Sequence, residues 1–176
     1  GAWMIYYAAE DGNGQTPFVS VGSNARPKTH PWKSGFLYAS GTSGQLDIYF
    51  TEVGVATQQL TNAAGNDVMP AWNQNGTRIV FVSDRDGQAD LWVMNADGSG
   101  QAKLTNDGAV DLTPAWSPDG KKIAWVKVGG GGNALWIMNP DGSDARPLTP
   151  ELPYLESPTW SPDSSRIAFS VDGDGD

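Results

Sequence analysis

The chain holds a single histidine, His30, in the run Thr29-His30-Pro31. Acyl transfer of the Ser-His-Asp kind needs an imidazole beside an activated hydroxyl, and no Gly-x-Ser-x-Gly elbow occurs in the sequence. His30 therefore reads as a loop histidine next to a strand. Cysteine is absent, which removes thiolate nucleophiles, disulfides and thiolate metal ligands together. One imidazole without cysteine is too little for a zinc site. Carboxylates are plentiful, 20 Asp plus Glu against 11 Lys plus Arg, and paired carboxylates could do general acid–base work. Many of them, however, sit in Asp-Gly turns such as Asp97-Gly98, Asp119-Gly120 and Asp141-Gly142, where the side chain serves backbone geometry. Asp84 reads as the cap of its own turn, paired with Arg85. Asp172, Asp174 and Asp176 imitate the opening of a calcium loop but lack its later ligands, and they read as a hairpin loop. No catalytic residue, metal site or cofactor is assigned.

The charge balance narrows the partners. A net charge of -9 disfavours phosphate-backbone binding, which relies on clustered cations, so nucleic acid is not expected. No apolar run approaches the ~20 residues needed to cross a bilayer, so no membrane insertion is expected either. The opening Gly1–Tyr7 has neither a basic start nor a small-residue cleavage end and does not read as a signal peptide.

Repeats organise whatever these side chains do. Pro70-Ala71-Trp72 recurs as Pro114-Ala115-Trp116 and Pro158-Thr159-Trp160, at a period of 44 residues. Seven residues after each Trp comes an apolar strand, at Ile79–Val82, Ile123–Val126 and Ile167–Ser170. A third strand follows at Leu91–Asn95 and Leu135–Asn139, and Leu-Thr closes the units at Leu60-Thr61, Leu104-Thr105 and Leu148-Thr149. The first turn is Asn73–Gly76, then Ser117–Gly120, then Ser161–Ser164, which has lost its Gly. Gly129–Gly132 reads as a flexible hairpin tip, lacking the Lys and the helix of a phosphate loop. Four antiparallel strands in about 44 residues is the size of one propeller blade. One such sheet cannot cover both its faces, so neighbouring blades must stack on it.

Pro114–Ala124, Ser83–Gly87 and Leu91–Ser99 resemble the TolB-type, WD-like β-propeller repeat. The expectation is an all-β chain, one β-propeller of four-stranded antiparallel blades over residues 1–176. It divides into a partial blade at 1–31, units at about 32–70, 71–113 and 114–157, and a partial blade at 158–176. Ile5–Ala8 is matched to the second strands, and Trp32 to the repeating Trp. Aromatic residues are expected on the blade faces left open at each end, driving ring closure within one chain or between two, a homo-oligomer or dimer.

Within that frame Asp67 and Asp111 stand five residues before their Trp. They are expected near the mouth of a central channel, where carboxylates would attract a basic peptide or a cation. Tyr154 and Glu156 occupy the corresponding loop of the next unit. The resemblance implies a non-enzymatic, periplasmic or extracellular scaffold that binds a protein or peptide through its loops and channel. The same repeat also forms part of prolyl-oligopeptidase-like peptidases and oligogalacturonate lyases, and a self-assembling fragment without a ligand is a further alternative.

Overall fold

The computed structural model describes residues 3–7, 16–21, 27–42 and 44–171, with side chains described for 27–42 and 44–171. Every regular element among them is a strand. An amino-terminal pair, β1 (Trp3–Tyr7) and β2 (Thr16–Val21), is followed by three four-stranded antiparallel sheets. The first holds β3 (Lys28–Thr29), β4 (Gly35–Thr42), β5 (Gln45–Glu52) and β6 (Gln58–Gln59). The second holds β7 (Gly65–Trp72), β8 (Arg78–Ser83), β9 (Asp90–Asn95) and β10 (Ala102–Lys103). The third holds β11 (Val110–Trp116), β12 (Ile123–Gly129), β13 (Gly132–Met138) and β14 (Arg146–Pro147). Another pair, β15 (Glu156–Trp160) and β16 (Ile167–Ser170), comes last. A short parallel contact of Gln45 and Leu46 with Gly65 and Asn66 links the first two sheets.

Strand alternation sends successive side chains to opposite neighbours. In β8, Ile79 and Phe81 join Leu37 and Ile48 of the first blade in one core, while Val80 and Val82 join Trp116, Ile123 and Trp125 of the third in another. In β12, Ala124 and Val126 face the last pair, packing with Leu155, Trp160 and Ile167. Each such side chain contributes roughly 1.5–3 kcal/mol when fully buried. These stacked faces therefore hold the sheets together where no sheet could fold alone. Trp72, Trp116 and Trp160 each pack toward the preceding blade. The Leu-Thr pairs also gain a role: Thr61, Thr105 and Thr149 Oγ1 accept the backbone N–H of Ile48, Leu91 and Leu135 at 2.9, 2.9 and 3.0 Å.

Three expectations change. Trp32 is not the repeating Trp: it is 71% exposed, and the inner strand of the first blade is Lys28–Thr29, paired with Leu37 and Phe36. Ala71 and Trp72 pair with Val80 and Ile79 in the same way, so Pro27-Lys28-Thr29 stands where later units carry Pro-Ala-Trp. The first unit thus starts before residue 32, and its second strand pairs Phe36 with Thr29 as Ile79 pairs with Trp72. Ile5–Ala8 is likewise displaced. Tyr7 pairs with Thr16 and Tyr6 with Pro17, the register of Val93 with Ala102 and Trp92 with Lys103. That makes β1 and β2 a third and a fourth strand. Finally, the open face of β16 carries the small residues Ala168 and Ser170, and the exposed aromatic, Phe169, lies on the face that looks toward the third blade.

The turn that lost its glycine keeps the glycine's backbone. Ser164 has φ +61°, against +63° at Gly76 and +71° at Gly120. A left-handed residue with a Cβ costs about 1–2 kcal/mol. In partial compensation, Ser164 Oγ accepts the N–H of Asp119 in the neighbouring blade at 3.0 Å. Ser164→Ala keeps the strain and loses that bond. It is expected to melt below both the parent and Ser164→Gly in a thermal unfolding series.

Candidate functional site

The ends of four inner strands converge on one cavity of about 730 Å³. Lys28 and Thr29, Ala71 and Trp72, Ala115 and Trp116, and Pro158 and Thr159 line it, one pair from each blade. Met69, Thr113 and Ser157 join them for a specific backbone reason. Each has a positive φ, +52°, +50° and +54°, and each lies in a β-bulge, where three inner-strand positions span two on the second strand. A bulge re-aims its side chain, and here all three line the cavity. The equivalent register position of the first unit is Arg26, which lies outside the described residues.

The same bulge decides where the carboxylates go. With unbroken alternation, a residue five before the Trp would face away from it. The extra residue restores Asp67 to the face of Trp72, opposite Ser83, and Asp111 to the face of Trp116, opposite Lys127. Asp67 and Asp111 are consequently 1% and 0% exposed and do not line the cavity, which corrects the channel-mouth expectation. Leu155 occupies the third equivalent place and is fully buried. A slot filled by Asp, Asp and Leu is a core position. Glu156, one residue on, is turned out to solvent, and Tyr154 is 71% exposed with φ +49°.

Asp67 is held by Arg85, whose Nη2 donates to its Oδ2 at 2.8 Å. The same guanidinium donates to Ser83 Oγ at 2.9 Å and Gln101 Oε1 at 2.6 Å, and its centre lies 4.6 Å from the Trp92 ring centroid. Arg85 was expected to pair with Asp84. Instead Asp84 accepts from the backbone N–H of Asn66 and, at 2.8 Å, from its Nδ2, tying down the start of β7. Asp84, Arg85 and Asp67 are thus brought together as a structural network. Asp111 accepts from Trp125 Nε1 at 2.7 Å, and burial pushes its carboxyl above the usual carboxylate value, opposed by hydrogen bonds from Thr105 and Trp125.

His30 sits at the rim. Its Nδ1 accepts the backbone N–H groups of Trp32 and Lys33 at 3.0 and 3.1 Å. In the same register Asn73 Oδ1 accepts from Thr77 and Arg78 at 2.9 and 3.0 Å, and Ser117 and Ser161 Oγ each accept one such N–H at 2.9 Å. The histidine is therefore a turn cap. Its ring stands edge-on to Trp72 at 4.6 Å and fills the space over Gly76 that a Cβ would need. Trp32 Nε1 reaches the Gln74 carbonyl at 3.1 Å, joining the first two turns. Burial lowers the His30 value below the usual 6.5, against the opposing pull of the Gly76 carbonyl. A lowered folded value means that the unfolded chain takes up the proton first, so stability falls as pH drops through and below the unfolded value. His30→Asn keeps an acceptor, as Asn73 shows, without the titration. The variant is expected to lose less thermal stability than the parent between about pH 7 and pH 5.

Residue type does not single out Met69, Thr113 and Ser157, which share neither size nor polarity. Only their common distance from the Trp marks them. Asp172, Asp174 and Asp176 lie outside the described residues, and among the described residues no three metal-binding side chains cluster.

Comparison with known proteins gives a consistent result. A family profile described as TolB beta propeller domain matches residues 10–176. A protein TolB homolog of Protochlamydia amoebophila is 35% identical over 68 residues, 38% of this chain and 14% of the relative. The crystal structure of TolB from Acinetobacter baumannii superposes with a TM-score of 0.85 at 20% identity, covering 98% of this chain and 44% of that one. An oligogalacturonate lyase in complex with manganese superposes at a TM-score of 0.71 and 15% identity, over 98% of this chain and 54% of the lyase. A Mycobacterium tuberculosis puromycin-hydrolyzing peptidase does so at 0.67 and 17%, over 84% and 25%. The chain spans less than half of the TolB structure and a smaller part of the curated relative.

Proposed function

Because the chain belongs to the TolB β-propeller domain family, we propose that it is a non-enzymatic, periplasmic scaffold that holds an extended segment of a protein partner in its axial cavity. One observation carries the reading: four inner strands present one continuous cavity whose lining is made of indole and proline faces, hydroxyls and amides. Such a mixture suits a peptide backbone, which needs donors and acceptors along its length and apolar contacts beside them. Among the described lining residues Lys28 alone is ionisable. The described lining residues therefore offer no pair of groups that could share acid and base roles. Self-association that completes the arc belongs to the same reading.

A photocrosslinking residue at Gln74, on the cavity lining, tests it. In periplasmic extract it is expected to label one protein, and the label should vanish when Ala71→Phe and Ala115→Phe fill the cavity. Equal labelling from the filled variant, or the same label from a crosslinker at Arg146 on the outer strand β14, contradicts the reading.

A further inference from the structure

The axial cavity differs in charge from the rest of the chain. The protein carries 20 Asp plus Glu, yet the described lining residues include no carboxylate, and Lys28 is the charged group among them. Lys28 is exposed and, among the described residues, has no carboxylate within ion-pair distance, whereas Arg85, Lys103, Lys121, Lys122, Lys127 and Arg146 each have one. Trp32 lines the same cavity, at a place that other units give to a side chain serving its own turn. His30, Asn73, Ser117 and Ser161 each donate their backbone N–H to the carbonyl five residues on, which sets Trp32 level with Asn75, Asp119 and Asp163. Asp119 and Asp163 accept backbone N–H groups of their turns at 3.1 and 3.0 Å. In the first unit the His30 imidazole caps the turn instead, and the side chain at 32 is released from that task. Its indole is 71% exposed, pinned by Nε1–H on the Gln74 carbonyl at 3.1 Å. Among the described residues no other ring or cation stacks on it. A large aromatic surface is thus held in one orientation at the rim with nothing covering it.

Resting on the reading that the cavity holds an extended segment of a partner, we infer that this segment is acidic and carries proline: a carboxylate side chain pairs with Lys28, and a proline ring lies on Trp32. The acidic group follows from charge complementarity, since an unpaired ammonium is the charge that the described lining offers. Proline follows from the aromatic lining. Its ring is flat and apolar, it lacks a backbone N–H that would need an acceptor, and it presets the extended conformation in which segments dock on indole faces. The net charge of -9 taken alone favours a basic ligand. Local lining and overall charge therefore demand opposite preferences, and a binding measurement separates them. The carboxylates that would favour a basic segment, Asp67 and Asp111, are buried and do not line the cavity.

A displayed library of random dodecapeptides tests this, joined to its carrier through the carboxyl ends so that acidity comes from side chains alone. The library is selected on the whole chain, and the Ala71→Phe/Ala115→Phe chain removes binders that do not need the cavity. The selected sequences are expected to be enriched in Asp or Glu and in Pro. For synthetic, amidated copies, Lys28→Glu is expected to weaken binding at least about tenfold, and Trp32→Ala by a similar factor. Changing the peptide's acid to its amide should cost affinity for the parent and little for Lys28→Gln. Both side chains are exposed, so Lys28→Glu and Trp32→Ala should hold Tm within about 3 °C of the parent. Enrichment in Lys or Arg overturns the inference, as does affinity indifferent to residue 28 or to Trp32→Ala. A library that yields no cavity-dependent binder overturns it too. If basic peptides are selected while the Gln74 label still vanishes in the filled chain, the scaffold reading stands and this inference falls. If that label persists in the filled chain, both fall.

Discussion

Arg85→Met is expected to destabilise the protein by about 3–5 kcal/mol, the usual consequence of leaving a buried charge without its partner. For a chain of this size that is a drop in Tm on the order of 10 °C. Asp67 is 1% exposed and its accepted bond comes from Arg85 Nη2, so the variant strands a carboxylate in the core. It also uncovers Trp92 and Gln101, on which the guanidinium rests. The double variant Arg85→Met/Asp67→Leu should return to within about 1 kcal/mol of the parent, since ion pairs replaced by apolar groups of similar volume are often neutral. Leu155, fully buried in the equivalent slot of the last blade, shows that the fold accepts an aliphatic group there. A double-mutant cycle by denaturant unfolding measures the coupling. If Arg85→Met and the double variant were equally destabilised, the ion pair would not be what Asp67 needs.

The second large effect centres on Trp125, which is 1% exposed, stands opposite Trp136 in β13 and donates to Asp111. Trp125→Ala removes one of the two buried indoles of the core between the second and third blades and is expected to cost about 3–5 kcal/mol. Trp125→Phe keeps most of that packing but deprives Asp111 of a donor, for a loss of about 1–3 kcal/mol. The two variants should also differ from the parent in pH dependence. Asp111 already has a raised value in the folded protein, and removing the indole N–H raises it further. A carboxyl with a raised folded value favours the folded state below its unfolded value, and that advantage is lost as pH rises through the folded value. The deficit of Trp125→Phe is therefore largest near neutrality and shrinks as pH falls toward about 4. A deficit independent of pH would assign the loss to packing alone.

Most of the fold was legible because three kinds of residue repeat at fixed spacing for reasons that the structure makes physical. The Trp packs on the preceding blade, the Thr hydroxyl ties the third strand, and the turn residue after the Trp caps its own hairpin. The first unit was misread because it breaks the most visible of these, carrying Thr29 where the others carry Trp, while Trp32 stands three residues away as a decoy. The distance from Thr29 to Phe36, seven residues as in every other unit, was the better guide. The site was less legible. A β-bulge has no side-chain signature here, and its left-handed residue is Met, Thr or Ser rather than Gly. Without it, alternation sends Asp67 and Asp111 to the wrong face, and the cavity passes from an acidic ring to one lined by indoles, hydroxyls and amides. Asp163, held down to about 2 by Ser161 and Ser165, confirms by contrast that the Asp residues of the turns serve their own backbones.

Hydrogen exchange of the backbone amides tests the stacked-blade account most directly. The account predicts that Ile79–Val82, Leu91–Met94, Ile123–Val126 and Leu135–Met138 exchange slowest and open together, while Ile167–Ser170, in a two-stranded sheet, exchanges faster. Protection confined to a single unit, or amides at Leu135–Met138 exchanging as quickly as the Gly129–Gly132 tip, would contradict it.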